Sequence, residues 1–226
     1  MKISQVERQK KNSKRFNIYL DGKFAFGADE DSLVDHRLIV GKELSQEEFE
    51  RVLFATEVGK LMERMYGLFS VRGRSEKEVR DYLRQLNFKR KLKDKEALSD
   101  TVMDALIERL KQKDFLNDER FANEWIHARR NSKQKGINAI KSELYQKGIE
   151  REIIERLLDP RLREDDNDSE YESEEKLAMQ SLEKKVKNIE ILEDPREKQR
   201  ILGFLMRKGF SYDISRSVIE VFLKKG

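Results

Sequence analysis

Basic side chains recur wherever the sequence predicts a joint between helices, and they are the residues best suited to binding chemistry. Guanidinium and ammonium groups at intervals along a surface can bind the phosphates of a nucleic acid or an acidic groove on a protein. The candidate contact residues are Arg72, Arg74, Arg84, Lys89, Arg90, Arg129, Arg130, Lys133, Lys135, Arg207 and Lys208.

The sequence contains no constellation typical of an enzyme or a metalloprotein. Its two histidines, His36 and His127, lack the spacing of metal ligands or of a catalytic triad. It has no Gly-x-x-x-x-Gly-Lys-Ser/Thr motif for a P-loop, and the acidic stretch Glu164–Glu175 lacks the pattern of a calcium loop. We therefore expect no catalytic residue, no bound metal and no cofactor.

Trp125 and the turn that follows it carry the most direct candidates for recognition. Trp125 could stack on a nucleic-acid base, but its spacing from Phe121 and Ile126 favours a place in the core. Arg129 could contact a partner or pair with a neighbouring carboxylate, and the sequence leaves both interpretations open. We expect the basic turn at 129–136 to be a contact site whose charges can be reversed without unfolding the protein.

The elements that position this turn are three short helices in the middle of the chain. Asn117 predicts the N-terminal cap of the first helix. The second helix ends at Lys147-Gly148, because glycine readily adopts the left-handed conformation that follows a helix. The third helix ends at Asp159-Pro160, since the residue before a proline avoids the helical conformation.

The end of the second helix recurs along the chain, which predicts internal repeats. The segment 144–149 resembles 205–210, 61 residues later, and 83–88, 61 residues earlier. Asn87 replaces the glycine in the first copy, and we expect it to be a left-handed cap there. Because one short three-helix unit buries little surface, we predict that three such units stack in tandem.

The first 44 residues predict a small β module. Asp21-Gly22, a pair typical of a type I′ turn, separates the strands 16–20 and 23–26, and 3–6 predicts a third strand. Successive helices then begin at capping boxes at Ser45 and Ser75 and at a cap at Ser99. The helix that begins at Ser45 has a possible break at Gly59. In the last repeat, Asp194-Pro195 begins the second helix.

The predicted fold class is mainly α: a tandem array of three three-helix repeats, elongated like a solenoid, after an N-terminal β-hairpin module. The expected boundaries are 1–44 for the β module with its short helix, 45–115 for repeat 1 with a lead-in helix, 116–160 for repeat 2, 161–174 for an acidic linker and 175–226 for repeat 3.

Composition agrees with thin amphipathic helices, since 41% of the residues are charged and 37% hydrophobic. The absence of cysteine excludes disulfides and thiolate metal sites. No apolar run reaches the roughly 20 residues that span a bilayer, and the N-terminus lacks a signal-peptide core. We expect a cytoplasmic protein that does not bind membranes.

The net charge of +4 is unevenly distributed. Residues 164–175 contain eight acidic side chains and no basic one, so the rest of the chain carries +12. A basic surface of this kind suits a polyanionic partner or an acidic protein groove. Charge alone equally fits a well-solvated helical protein.

The chain resembles the RecX family of recombination regulators, in the longer form with an N-terminal β extension. The resemblance covers about residues 57–224 and is strongest in the central block. The third repeat matches mainly through its Lys-Gly turn, and the acidic linker has no counterpart. The residues that carry the resemblance are Arg74-Ser75, Glu78-Val79 and Leu83, the run 116–122, Trp125-Ile126, Arg129, Gly136 and the segment 144–149.

This resemblance implies a negative modulator of RecA, the recombinase that polymerises on single-stranded DNA. Proteins of the family are three tandem three-helix repeats suited to lie along the groove of the RecA–DNA filament, where they oppose filament growth, strand exchange and ATP hydrolysis. The implied partners are the RecA filament and, weakly and without sequence specificity, single- or double-stranded DNA. We expect a monomer.

Two other functions fit parts of the sequence. A helix-turn-helix regulator could be built from short helices with glycine turns, but its recognition helix would have to face DNA. The third helix of the middle repeat carries Glu150, Glu152 and Glu155, which would repel phosphates. A scaffold for protein contacts alone, with incidental basic patches, is the second alternative.

Overall fold

The computed structural model describes residues 1–10, 12–158, 173–187, 192 and 194–225. Most of the predicted acidic linker and the predicted helix end at Asp159-Pro160 lie outside these residues. The chain divides into two units. Unit 1 comprises residues 1–74 and 79–116, and unit 2 comprises residues 75–78 and 117–226.

Unit 1 begins with the predicted three-stranded antiparallel sheet. Strands β1 (Ile3–Arg8), β2 (Arg15–Leu20) and β3 (Lys23–Asp29) lie side by side in chain order. Asp21 and Gly22 join β2 to β3 with φ angles of 48° and 83°. A type I′ turn requires positive φ at both central residues, so the predicted hairpin is confirmed. Ile3, Ile18 and Phe26 form part of the buried core beneath the sheet.

Two helices follow the sheet, and one prediction about them is wrong. After α1 (Glu30–Asp35), α2 (Gln46–Phe69) begins with the predicted capping box of Ser45 and Glu48. The helix continues through Gly59 without a break. A Cβ atom at Gly59 would lie 2.4 Å from the carboxylate of Asp29, whose Oδ1 caps α1. Gly59 therefore makes room for a neighbouring cap rather than ending a helix.

The first predicted corner is also wrong. Helix α3 (Glu76–Lys91) continues past Asn87, and Ser99 caps α4 (Asp100–Gln112) as predicted. Asn87 lies within α3, where its side-chain amide donates to the backbone oxygen of Leu98 at 3.1 Å and accepts from the Leu98 nitrogen at 2.7 Å. Asn87 thus fastens the loop after α3, because its side chain can satisfy a donor and an acceptor together.

In the part of unit 2 that the structure describes, two groups of three helices have separate cores. Asn117, Ser173 and Asp194 cap the helices that follow them. The predicted basic turn is shorter than expected, because the first helix continues to Lys133 and only 134–136 form the turn. The helices are α5 (Asp118–Lys133), α6 (Ile137–Gln146), α7 (Arg151–Leu158), α8 (Glu174–Lys185), α9 (Pro195–Arg207) and α10 (Tyr212–Lys225).

Two predicted Lys-Gly corners, Lys147-Gly148 after α6 and Lys208-Gly209 after α9, are confirmed. Gly148 and Gly209 have φ angles of 77° and 99°. The Ile149 nitrogen donates to the Leu144 oxygen at 3.1 Å, and the equivalent bond after α9 measures 3.2 Å. These bonds satisfy carbonyl groups that a helix end leaves without partners.

Each corner also lies against the first residues of another helix, and those residues belong to unit 2. A Cβ atom at Gly148 would lie 2.6 Å from the Cβ of Lys77, and one at Gly209 would lie 2.4 Å from the Cβ of Ala139. Glycine is required at both corners by the backbone conformation and by the close approach.

The predicted mainly helical class, with repeated three-helix groups after a small antiparallel sheet, is confirmed. Within the described ranges, no helix is both long and apolar enough to cross a membrane.

We expect Gly148→Ala to lower the free energy of unfolding by about 2 kcal/mol, because a left-handed L-residue costs about 1–2 kcal/mol and the added methyl meets Lys77. Gly67→Ala is the matched control. Gly67 lies inside α2 with no atom within 4 Å of its Cβ position, so alanine should stabilise that helix by up to about 1 kcal/mol. Urea denaturation followed by circular dichroism measures both changes. Equal stability of Gly148→Ala and the parent would contradict this account of the corner.

Candidate functional site

The Lys-Gly corner after α9 binds the start of α6. The Gly136 nitrogen donates to the Lys208 oxygen at 2.9 Å, and the Asn138 nitrogen donates to the Gly209 oxygen at 3.1 Å. Gly136 allows this contact because a Cβ atom there would lie 2.4 Å from the backbone of Gly209. The exposed carbonyl groups at one helix end are therefore paired with the N–H groups at another helix start.

The corner after α6 binds the first turn of α3 in a related way. The Ser75 hydroxyl donates to the Lys147 oxygen at 2.7 Å, and Lys77 Nζ donates to the Gln146 oxygen at 2.7 Å. Lys147 in turn binds the Glu78 carboxylate at 2.5 Å. The Ser75 hydroxyl thus binds the lysine carbonyl of this corner, as the Gly136 backbone N–H binds the lysine carbonyl of the other corner.

An acidic residue completes each of these two contacts. Asp118, the first residue of α5, accepts from the Glu76 nitrogen at 2.8 Å. Glu174, the first residue of α8, accepts from the Ile137 nitrogen at 3.2 Å. In both cases the carboxylate meets the first N–H group of another helix, where the helix dipole favours negative charge. The two contacts thus share one design.

Glu174 also forms an ion pair with Arg130 at 3.0 Å. Arg130 is only 6% exposed. Burial raises the pKa of the Glu174 carboxyl, although the Ile137 N–H and Arg130 both favour its charged form. The charge of Arg130 is therefore paired inside unit 2, where its side chain is buried and not accessible at the surface.

Arg129 and Lys135 share a second carboxylate, that of Glu143. Arg129 Nε and the indole nitrogen of Trp125, Nε1, each donate to Glu143 Oε2 at 2.7 Å. Lys135 binds the other carboxylate oxygen. Burial opposes ionisation of Glu143, but the hydrogen bonds from Lys135, Arg129 and Trp125 outweigh it and lower its pKa. Of the two interpretations of Arg129, pairing with a carboxylate is the one observed.

Trp125 packs against the core of α5–α7 as predicted. Its ring is also in contact with two cations. The Arg129 guanidinium lies 4.0 Å from the ring centroid and Lys147 Nζ lies 4.2 Å from it. Cations at these distances are attracted by the aromatic face. Base stacking on this ring would require Arg129 or Lys147 to move.

The remaining predicted cations lie in different settings. Lys133 and Arg207 are exposed in the last turns of α5 and α9. In unit 1, Arg72 and Lys89 are exposed and Arg84 pairs with Asp81 at 3.3 Å. Arg74 is half-buried and Arg90 binds Glu57 at 3.1 Å. Reversal of all four charges at 129–135 would therefore disturb the fold, contrary to expectation, because only Lys133 among them is exposed.

One group of cations gathers at the ends of α5, α8 and α9, and we call it the junction cluster. Lys208 Nζ donates to the Lys133 backbone oxygen and to the Ser181 hydroxyl, each at 3.0 Å. Burial lowers the pKa of Lys208, and the nearby charges of Lys184 and Lys135 lower it further. The cluster consists of Lys133, Lys184, Lys185, Arg207 and Lys208.

Lys184 and Lys185 were missed by the sequence reasoning. Both are exposed in the last turn of α8. Lys185 and Lys208 each lie 5.6 Å from the Phe204 ring centroid. Lys184 and Lys185 lie in the last turn of their helix, as Lys133 does in α5, and this position could have identified them as candidate contact residues.

We expect Glu174→Ala to destabilise the protein by about 3 kcal/mol, because it leaves the buried Arg130 charge without this carboxylate. Glu175→Ala removes the same charge from the neighbouring, exposed position and should change stability by less than about 0.5 kcal/mol. Chemical denaturation of the two variants measures the difference. Equal stabilities would show that the Arg130–Glu174 pair does not hold α8 to α5 and α6.

Comparison with known proteins places this arrangement in a family. Three family models match the chain: the regulatory protein RecX N-terminal domain at residues 1–45, the second RecX three-helix domain at 117–158 and the third at 172–219. Regulatory protein RecX of Bacillus subtilis is 33% identical over 218 residues, covering 96% of this chain and 76% of that protein.

Another relative and two solved structures agree. Regulatory protein RecX of Listeria monocytogenes is 31% identical over 217 residues, covering 96% of this chain and 74% of that protein. A crystal structure of regulatory protein RecX matches with a TM-score of 0.68 and 26% identity, over 97% of this chain and 98% of that one. RecX from Lactobacillus salivarius matches with a TM-score of 0.57 and 26% identity, over 76% and 99% of the two chains. By sequence and by structure, this chain belongs to the RecX family of regulatory proteins.

Proposed function

We propose that this protein is a negative modulator of RecA that binds along the groove of the RecA–DNA filament and inhibits filament growth, strand exchange and ATP hydrolysis. The observation that carries the proposal is membership of a regulatory family, matched along 96% of the chain. In this role the protein acts by contact, as a monomer, and not by chemistry of its own.

The junction cluster supplies a surface suited to that contact. Its exposed side chains come from the ends of α5, α8 and α9, and Lys208 of the same cluster bonds to α5 and α8, so we propose that one partner surface meets them. The lowered pKa of Lys208 reflects burial and the repulsion of neighbouring cations. Carboxylates or phosphates of a partner would relieve that repulsion, which favours an anionic partner.

The cations in unit 1 are proposed as further contacts, through Arg72, Arg84 and Lys89. Weak, non-specific contact with single- or double-stranded DNA belongs to the same proposal, because phosphates are met by the same ammonium and guanidinium groups. Such contact should weaken steeply with added salt, whereas sequence-selective binding would not depend on charge alone.

The surface of α7 argues against a helix-turn-helix regulator of duplex DNA. Glu152 is exposed on this helix, and Glu150 is exposed immediately before it. Its arginines are already paired, Arg151 with Glu155 at 2.7 Å and Arg156 with Glu119 at 2.9 Å. A recognition helix instead needs side chains available to hydrogen-bond with base edges.

We expect the triple variant Lys133→Gln, Lys184→Gln, Arg207→Gln to inhibit RecA-driven ATP hydrolysis about tenfold less potently, since three lost contacts at about 0.5 kcal/mol each amount to about one order of magnitude. The control variant Lys23→Gln, Lys91→Gln, Lys113→Gln removes three exposed cations from unit 1 and should inhibit like the parent. The measurement is ATP turnover by RecA on single-stranded DNA against inhibitor concentration.

Co-sedimentation distinguishes modulation of RecA from regulation of duplex DNA. A RecA modulator should pellet with assembled RecA filaments more strongly than with single-stranded DNA alone, whereas a duplex regulator should prefer particular duplex sequences. No inhibition and no filament binding by the parent protein would reject the proposal. Equal loss of potency in the triple variant and its control would reject the junction cluster as the contact.

A further inference from the structure

Unit 1 contains a pocket whose lining is unusually rich in positive charge. It has a volume of about 380 Å³ and lies between α2, the second half of α3 and the loop that follows α3. Pockets of this size are typical of small-ligand sites. Leu61 and Leu86 supply apolar wall, and the lining cations are Lys60, Arg64, Lys89, Arg90, Lys93 and Lys95.

Among the described residues, Glu57 is the one carboxylate that lines this pocket. It is 3.1 Å from the Arg90 guanidinium and is thereby committed to that side chain. Five lining cations remain, and Lys60, Arg64, Lys89, Lys93 and Lys95 are all exposed to solvent. The positive charge at the pocket is therefore concentrated and accessible to a ligand.

The loop that carries two of these lysines is held in place by α3. Arg90 Nε donates to the Glu96 oxygen at 2.6 Å, and the Lys93 and Lys95 nitrogens each donate to the Arg90 oxygen at 3.0 Å. Asn87 fastens the end of the same loop through its two bonds to Leu98. Because α3 fixes the loop at several points, Lys93 and Lys95 need little ordering when a ligand binds.

Lys60 shows the effect of the crowded charge. Partial burial of its amine lowers the pKa of Lys60, and the guanidinium groups of Arg15 and Arg90 lower it further, against the opposite effect of Glu57. An anion in the pocket would offset the repulsion among these cations. Several ammonium groups around one small cavity match an anion with several charges better than one with a single charge.

We propose that this pocket binds a small ligand that carries at least two linked phosphate groups. Orthophosphate has too few charges to meet cations from α2, α3 and the loop together. A continuous nucleic-acid backbone would need a groove that extends beyond the cavity. This inference does not rest on the modulation of RecA, and either proposal can fail without the other.

The test is isothermal titration of the full-length protein with inorganic tripolyphosphate at about 150 mM salt, a concentration that screens long-range attraction. Saturable binding at one site is expected, at least tenfold tighter than binding of orthophosphate. Lys60→Gln and Lys93→Gln should each weaken tripolyphosphate binding at least fivefold. Lys91→Gln, an exposed cation of the same helix end that does not line the pocket, should change it less than twofold.

Melting temperatures close to that of the parent establish that the three variants are folded. Because Lys60 and Lys93 lie in different elements, a local structural defect in one element would not explain weaker binding by both variants. Absence of saturable tripolyphosphate binding, or an equal effect of Lys91→Gln, would overturn the proposal. So would tighter binding of an oligothymidylate without terminal phosphates that is lost in Lys60→Gln, because the pocket would then be a nucleic-acid contact.

Discussion

The close approach between a helix end and a helix start is the constraint on which unit 2 depends. At each Lys-Gly corner, carbonyl groups left over at the end of one helix accept bonds from the start of another. The approach leaves no space for a Cβ atom at Gly148 or Gly209. One small residue therefore determines both where a helix stops and what it touches, which explains why the corner is the most recognisable element of the repeat.

Electrostatics reinforces this contact and divides the cations into two classes. Arg129, Arg130 and Lys135 bind carboxylates inside unit 2 and contribute to its stability. Lys133, Lys184 and Arg207 extend from the same region into solvent. Buried charges must be paired, whereas exposed charges cost little to leave without a fixed partner. Most of the charge near the turn therefore contributes to the stability of unit 2, and the exposed cations are the ones that we propose for recognition.

Short sequence patterns predicted the structure correctly where residues a few positions apart determine it. The Asp21-Gly22 hairpin, the caps at Ser45 and Ser99 and both Lys-Gly corners depend on residues a few positions apart. Predictions failed where a distant residue decides the outcome. Asn87 binds Leu98 instead of ending α3, and Gly59 accommodates Asp29, which is 30 residues away in sequence. The sequence does not distinguish Arg130 from the surface cations, because its partner Glu174 is distant in sequence.

The position of Glu174 also bears on how this chain can change during evolution. Helix α8 is attached to the preceding helices through Glu174, at its first residue, and through Ser181 and the corner at Lys208-Gly209. Those bonds do not depend on how many residues separate Leu158 from Ser173. Insertions and deletions can therefore accumulate between α7 and α8 while the register of the two helix groups is preserved. The 61-residue offset between the two Lys-Gly corners thus reflects the length of that connection as well as the length of the repeat.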